Sequence, residues 1–169
     1  MRILGIDPGT QHLGVGVIDS EDNGDNIVCV HSEVLSPPKR DPIYQRLHKL
    51  HAGLVEVIEK WKPDSVAMEQ PFASKNIRSA LAIGQAQAAA MIAASAAGLD
   101  VATYAPAQVK SAVTDHGGSS KEQVQEMVRI LLRLPAEPIE SDAADALAVA
   151  LCHVNAYRAE MLESRSRQW

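Results

Sequence analysis

Residues 3–19, ILGIDPGTQHLGVGVID, constrain the fold more than any other stretch of the chain. Residues 2–6 are apolar apart from Arg2 and run straight into Asp7, after which Pro8-Gly9 turns the chain. A carboxylate therefore stands where a buried strand ends. From Leu13 to Ile18 the glycines Gly14 and Gly16 alternate with Val15 and Val17, and glycine inside a strand marks a close approach by another backbone or a ligand. A plain hairpin with a solvated aspartate before its turn fits this stretch equally well.

The same grammar recurs downstream. Asp64 to Met68 is a short apolar strand that ends in Glu69, followed by Gln70-Pro71. Between the two lie an acidic turn, Ser20 to Asn26, and a third strand, Ile27 to Val34, so three closely linked strands should form an antiparallel meander. Asp41-Pro42 reads as an N-cap with proline at the first helical position. Ile43, Tyr44, Leu47, Leu50, His51, Leu54, Val57, Ile58 and Trp61 follow at helical spacing until Pro63. His48 and His51 have no acidic or cysteine ligand at matching spacing and read as a packing and a surface histidine. A right-handed crossover through this helix lays the Glu69 strand parallel to the first strand. That makes a topological switch point, where open α/β sheets put their ligands, and Asp7 and Glu69 converge on it.

Residues 76–97 form an Ala-rich helix closed by Gly98. Its small faces suit helix-on-sheet packing or a subunit interface. Val101 to Tyr104 is a fifth strand, and Ala105-Pro106 opens a short helix carrying Lys110. The loop Asp115 to Ser120 reads as the most flexible piece of the interior. Ser119 with Glu122 fits a capping box for a helix whose Val124, Met127, Val128 and Leu131 face the core and which Pro135 and Pro138 stop. The last helix opens on Ser141-Asp142-Ala143-Ala144-Asp145, where the two acids share a face of the first turn. Acids there are favoured by the helix dipole alone. The alanines between them would equally let this helix end sit hard against a sheet, beside Asp7 and Glu69.

At 169 residues and 46% hydrophobic content, the chain reads as one α/β domain over residues 1–157, with a polar tail over 158–169 whose order the sequence leaves open. Cys29 and Cys152 sit far apart in apolar segments and resemble small buried hydrophobes. No secretory leader pattern opens the chain, and the run from Ala86 to Ala97 is too short and too polar for a membrane span, so a cytoplasmic protein with no membrane partner is expected. A net charge of −5 argues against a polyanionic partner, but residues 70–135 carry six basic and four acidic side chains. Cations bound by the acids elsewhere would make the working surface more positive still.

Asp7, Glu69, Asp142 and Asp145 can thus be gathered at one place, and four carboxylates share a pocket only if cations do too. Oxygen ligands without cysteine indicate Mg²⁺ or Mn²⁺. Two such ions are the recurring apparatus for in-line attack of water on a phosphodiester.

From residue 2 to about 155 the chain resembles the RuvC-type crossover junction endodeoxyribonucleases, the bacterial Holliday junction resolvases of the ribonuclease H-like superfamily. The matching stretches, in order, are LGIDPGT with G-x-G-V, AMEQPF, KN-x-x-SAL-x-x-GQA, QVK, the Gly-Gly-x-x-Lys-x-Gln-Val run around Lys121, MVR-x-LL-x-LPA and DAADALAVA. The resemblance implies a ribonuclease H-like fold: a five-stranded mixed sheet, three strands in an antiparallel meander and two parallel, flanked by helices. It implies a homodimer that binds a four-way DNA junction and makes two symmetric nicks leaving 5′-phosphate and 3′-hydroxyl ends, working with a branch-migration complex. By motif, Asp7 would bridge two Mg²⁺ ions, with Mn²⁺ able to substitute, and Glu69, Asp142 and Asp145 would complete their shells. Lys121 and Lys110 are similar to the family's DNA-contacting lysines, and Lys121 would stabilise charge at the scissile phosphate. Phe72, the single phenylalanine, looks like the family's aromatic that meets junction bases; a loop residue folded onto the core is its alternative. Lys75 and Arg78 are candidate DNA contacts and, like Arg129, equally a solvated face. Gly14 and Gly16 would keep the second strand low where the DNA backbone approaches.

Two departures bear on DNA binding. Gln87-Ala88 stands where the family usually has Arg-Gly, and Asp115 where a glycine is usual. Two rival classes share parts of the pattern. An actin-like or sugar-kinase-like ATP-binding domain has a similar first phosphate loop but needs a second such domain, and a non-catalytic branched-DNA-binding module would lack one of the acids.

Overall fold

The computed structural model describes residues 1–21, 26–70, 77–137 and 139–166. In chain order the elements are β1 (Arg2–Asp7), β2 (Leu13–Ser20), β3 (Ile27–Leu35), α1 (Ile43–Trp61), β4 (Ser65–Glu69), α2 (Ile77–Ala96), β5 (Asp100–Tyr104), α3 (Pro106–Thr114), α4 (Lys121–Leu131) and α5 (Ser141–Ser166). The strands form one sheet in the order β3-β2-β1-β4-β5. β1 to β3 pair antiparallel, while β4 runs parallel to both β1 and β5. This is the meander plus two parallel strands expected from the sequence, with β1 at the switch point.

Period-two alternation divides the apolar residues between two faces. Leu4, Ile6, Leu13, Val15, Val17, Val66 and Met68 meet Leu50, Leu54, Val57 and Ile58 of α1 and the alanines of α2. Ile3, Ile18 and Ala67 meet α3, α4 and α5 on the other side. The same alternation turns Asp7 and Glu69 toward the α5 side, since each lies an even number of residues from Ile3 or Ala67.

The strand glycines have a different use from the one expected. A Cβ on Gly14 would overlap the carbonyl oxygen of Asp142, one on Gly5 the carbonyl oxygen of Ala146, and one on Gly16 would press into Leu147. Gly5 pairs with Gly16 and Asp7 with Gly14 across β1 and β2. The glycines form a flat patch on which the backbone of α5 lies, so they serve a helix of the same chain and leave no gap for DNA. Ala143, Ala144, Ala146 and Ala150, all buried, complete the close contact from the helix side.

Two caps also differ. Asp41 does not cap α1: its carboxylate accepts from Lys49 Nζ at 2.6 Å, and α1 begins without a side-chain cap. The capping box of α4 is Ser120 with Gln123, one residue later than Ser119 with Glu122, because the Ser119 hydroxyl is buried against Thr114 and the His116 carbonyl. Those contacts hold the loop 115–120 together where the sequence suggested the most flexibility. Leu131 is exposed rather than packed on the core. α2, Ile77–Ala96, extends beyond the alanine run and is, by length and composition alone, long and apolar enough to cross a membrane. It packs into the fold through Ala86, Ala90, Ala93 and Ala94, and Gly98 turns left-handed to end it, φ 72°. The polar stretch after residue 157 continues α5 as helix to Ser166. Both cysteines are free, Cys152 buried and Cys29 half-buried.

Candidate active site

Asp7 ends β1, and Glu69 ends the neighbouring parallel strand β4, one step past the Ile6–Met68 pair. Register and alternation put their side chains on one face at the carboxyl edge of the sheet. α5 starts there because Gly14 admits the backbone of Asp142, and its first turn turns Asp142 and Asp145 toward Asp7. One carboxylate oxygen from each of Asp7, Asp142 and Asp145 lies within 4.8 Å of the others, and all three residues are half-buried. Glu69 stands beside this trio and lines an adjoining cavity of about 200 Å³ with Lys110, Lys121 and Asp145.

The electrostatics follow from this crowding. Burial first, then the charges of Asp145, Glu69 and Asp142, raise the Asp7 carboxyl to about 7, and Lys121 opposes them only in part. Burial and then Asp145 raise Glu69, with Lys110 and Lys121 working the other way. Lys121 Nζ donates to Asp145 Oδ2 at 2.6 Å. Burial pulls the ammonium down, but the hydrogen bond to Asp145 and the charges of Asp145, Asp142 and Asp7 outweigh it and leave Lys121 raised. Three converging carboxylates with a fourth at the rim outnumber the two neighbouring ammonium groups, Lys110 and Lys121, and they offer only hard oxygen donors. This donor set fits divalent cations of the Mg²⁺ or Mn²⁺ kind.

The remaining expected residues are placed as follows. Lys110, on α3, lines the cavity with Glu69. Arg78 is exposed on the first turn of α2. Phe72 and Lys75 lie outside the described residues. Asp115 caps α3 with a left-handed backbone, φ 57°, the conformation for which glycine is the easy choice and aspartate a tolerated one. Gln87 is buried in α2.

Sequence reasoning missed Arg46. From α1 its Nη1 donates to the Thr10 carbonyl at 3.3 Å, bracing the turn that follows Asp7. The available signal was an arginine at i+3 from Ile43, on the stripe that continues to Leu50. It also missed His153, which lies 3.0 Å from Ser65 Oγ and 2.7 Å from the Tyr104 hydroxyl, tying α5 to β4 and β5.

Residues 3–153 match the family model described as crossover junction endodeoxyribonuclease RuvC. A crossover junction endodeoxyribonuclease RuvC of Dehalococcoides mccartyi is 57% identical over 153 residues, covering 90% of this chain and 92% of that protein. The solved structure of Thermus thermophilus RuvC superposes with a TM-score of 0.86 at 39% identity, over 95% of this chain and 97% of that one. The same protein in complex with a Holliday junction substrate gives a TM-score of 0.87 at 38% identity, over 95% and 96% of the two chains.

Proposed function

The chain belongs to the RuvC family of crossover junction endodeoxyribonucleases, and from that premise we propose that it resolves Holliday junctions by two symmetric, metal-dependent nicks. The observation that carries this reading is the convergence of Asp7, Asp142 and Asp145 within 4.8 Å, with Asp7 raised to about 7. Asp7, Glu69, Asp142 and Asp145 would hold two Mg²⁺ ions, for which Mn²⁺ can substitute. Bound there, the ions would supply a water of lowered pKa and neutralise charge on the leaving oxygen.

The chain's own residues do the rest. The four carboxylates, fixed on two strand ends and one helix turn, would hold the two ions in place, and it is the charge of those ions that would bring one phosphodiester to this edge of the sheet. Lys121 and Lys110 stand at the cavity beside it and present ammonium groups to the non-bridging phosphate oxygens, where negative charge grows as water adds. Water attacks phosphorus in line with the P–O3′ bond; that bond breaks, and the products carry a 5′-phosphate and a 3′-hydroxyl. Phe72 stacks on bases at the crossover, an interaction worth roughly 1–3 kcal/mol per base, and Lys75 and Arg78 hold flanking phosphates.

Two nicks related by symmetry need two active sites, so the working species is a homodimer. α2 supports a shared face: Ile77, Leu81 and Ile92, which fall within one side of the helix, are 82%, 62% and 61% exposed. A branch-migration complex as partner and action in the cytoplasm belong to the same reading. The test is an end-labelled synthetic four-way junction, with a linear duplex of the same sequence as control. Paired nicks on opposed strands of the junction, dependent on Mg²⁺ and sealable by a ligase, are expected. Cutting that persists in excess EDTA, or equal cutting of the duplex, would contradict it.

A further inference from the structure

Arg158 lies on α5 sixteen residues past Asp142, roughly 24 Å down the helix at about 1.5 Å per residue. Its Nε and Nη2 are both buried, and neither has a hydrogen-bond partner among the described residues. A buried guanidinium with two idle donors is costly to keep, and such groups are almost always paired. Arg158 lines a cavity of about 320 Å³ between α3, α4, α5 and the start of β3. Ile27, Val113, Met127 and Leu151 give that cavity an apolar wall, and Arg133, Asp115 and Asn155 join Arg158 in its polar part. Asn155 Nδ2 is spent on the Ala112 carbonyl at 3.0 Å, which leaves its amide oxygen as an acceptor.

Among the described lining residues two guanidinium groups face one carboxylate, which gives that wall a net positive charge. Arginine forks suit planar or tetrahedral oxyanions. Asp115 and the Asn155 oxygen can only accept, so they match a donor on the same ligand. The volume is at the lower end for a small-molecule site, which admits something the size of a mononucleotide or an amino-acid derivative and little more. We propose that this cavity binds a small organic anion: a phosphate or carboxylate set against Arg158 and Arg133, on a compact apolar body that carries a hydrogen-bond donor. The site is separate from the acidic cluster, so it stands or falls independently of the nuclease reading.

The test follows the arginine Nε–H resonances of the ¹⁵N-labelled full chain by NMR. The probes are thymidine 5′-monophosphate, N-acetylleucine, their neutral counterparts thymidine and N-acetylleucinamide, and inorganic phosphate. Saturable movement of the Arg158 resonance by one of the two organic anions is expected, with its neutral counterpart silent, and which anion acts distinguishes phosphate from carboxylate. Arg158→Gln should weaken that binding about tenfold or more, as should Arg133→Gln, whose exposed position keeps folding out of question. Silence of the Arg158 resonance with both organic anions overturns the proposal. So does equal binding of the neutral counterparts, unaltered affinity in Arg133→Gln, or a response to inorganic phosphate alone, which would mark an adventitious ion only.

Discussion

Asp7→Asn should make the metal-free protein more stable, and by an amount that depends on pH. Burial, reinforced by Asp145, Glu69 and Asp142, lifts the Asp7 carboxyl from 3.8 to about 7. A factor of ten in proton affinity is about 1.4 kcal/mol, so folding with this carboxylate ionised costs up to roughly 4 kcal/mol. Because the folded value lies above the unfolded one, the penalty is absent below pH 3.8, grows as pH rises, and levels off above about 7. Asparagine keeps the shape and removes the charge, but its amide must still be buried, at a pH-independent cost of about 1–2 kcal/mol. The stability gap between variant and native chain should therefore widen between pH 5 and pH 8 by about 2–3 kcal/mol, whatever the amide costs. Urea unfolding of both proteins in EDTA at the two pH values measures this. A gap that is the same at both, or a native chain that gains on the variant at pH 8, would refute the crowded-carboxylate account.

Other consequences are local. Gly14→Ala places a methyl group on the Asp142 carbonyl oxygen, a backbone atom that cannot yield, so a loss of about 3 kcal/mol or more in chemical denaturation is expected; a loss under about 1 kcal/mol would mean α5 does not seat on the glycines. Lys62→Gly should add about 0.5–1 kcal/mol by the same assay, since Lys62 ends α1 with a left-handed backbone, φ 50°, that favours glycine. Lys121→Ala should slow single-turnover nicking of a four-way junction on the order of a hundredfold, far more than it weakens junction binding. An unaltered rate would remove Lys121 from the site.

Much of this is legible in the sequence itself. Asp7 and Glu69 could be placed together because each closes an apolar strand before a proline, and the crossover rule makes those strands neighbours. Asp142 and Asp145 joined them through the alanines between, which allow close seating. The ambiguous features were those where one local pattern serves two geometries. Gly14 and Gly16 announce a close approach without saying by what, and the approaching backbone is that of α5. Ser119 with Glu122 and Ser120 with Gln123 both spell a capping box, and the choice depends on the Thr114 and His116 contacts that bury Ser119. Asp41 reads as a cap until Lys49, two turns along α1, takes its carboxylate. Helical spacing places Arg46 on the inward stripe of α1 but does not name its partner, a backbone carbonyl 36 residues away.

The central claim is that four carboxylates on β1, β4 and α5 make this chain a metal-dependent junction nuclease. Its most direct test compares native chain and Asp7→Asn on one end-labelled four-way junction, reading binding by gel shift and cleavage in Mg²⁺ on the same samples. The variant should bind the junction as the native chain does and leave it uncut, while the native chain cuts two opposed strands. An Asp7→Asn protein that still nicks the junction in Mg²⁺ would contradict the account.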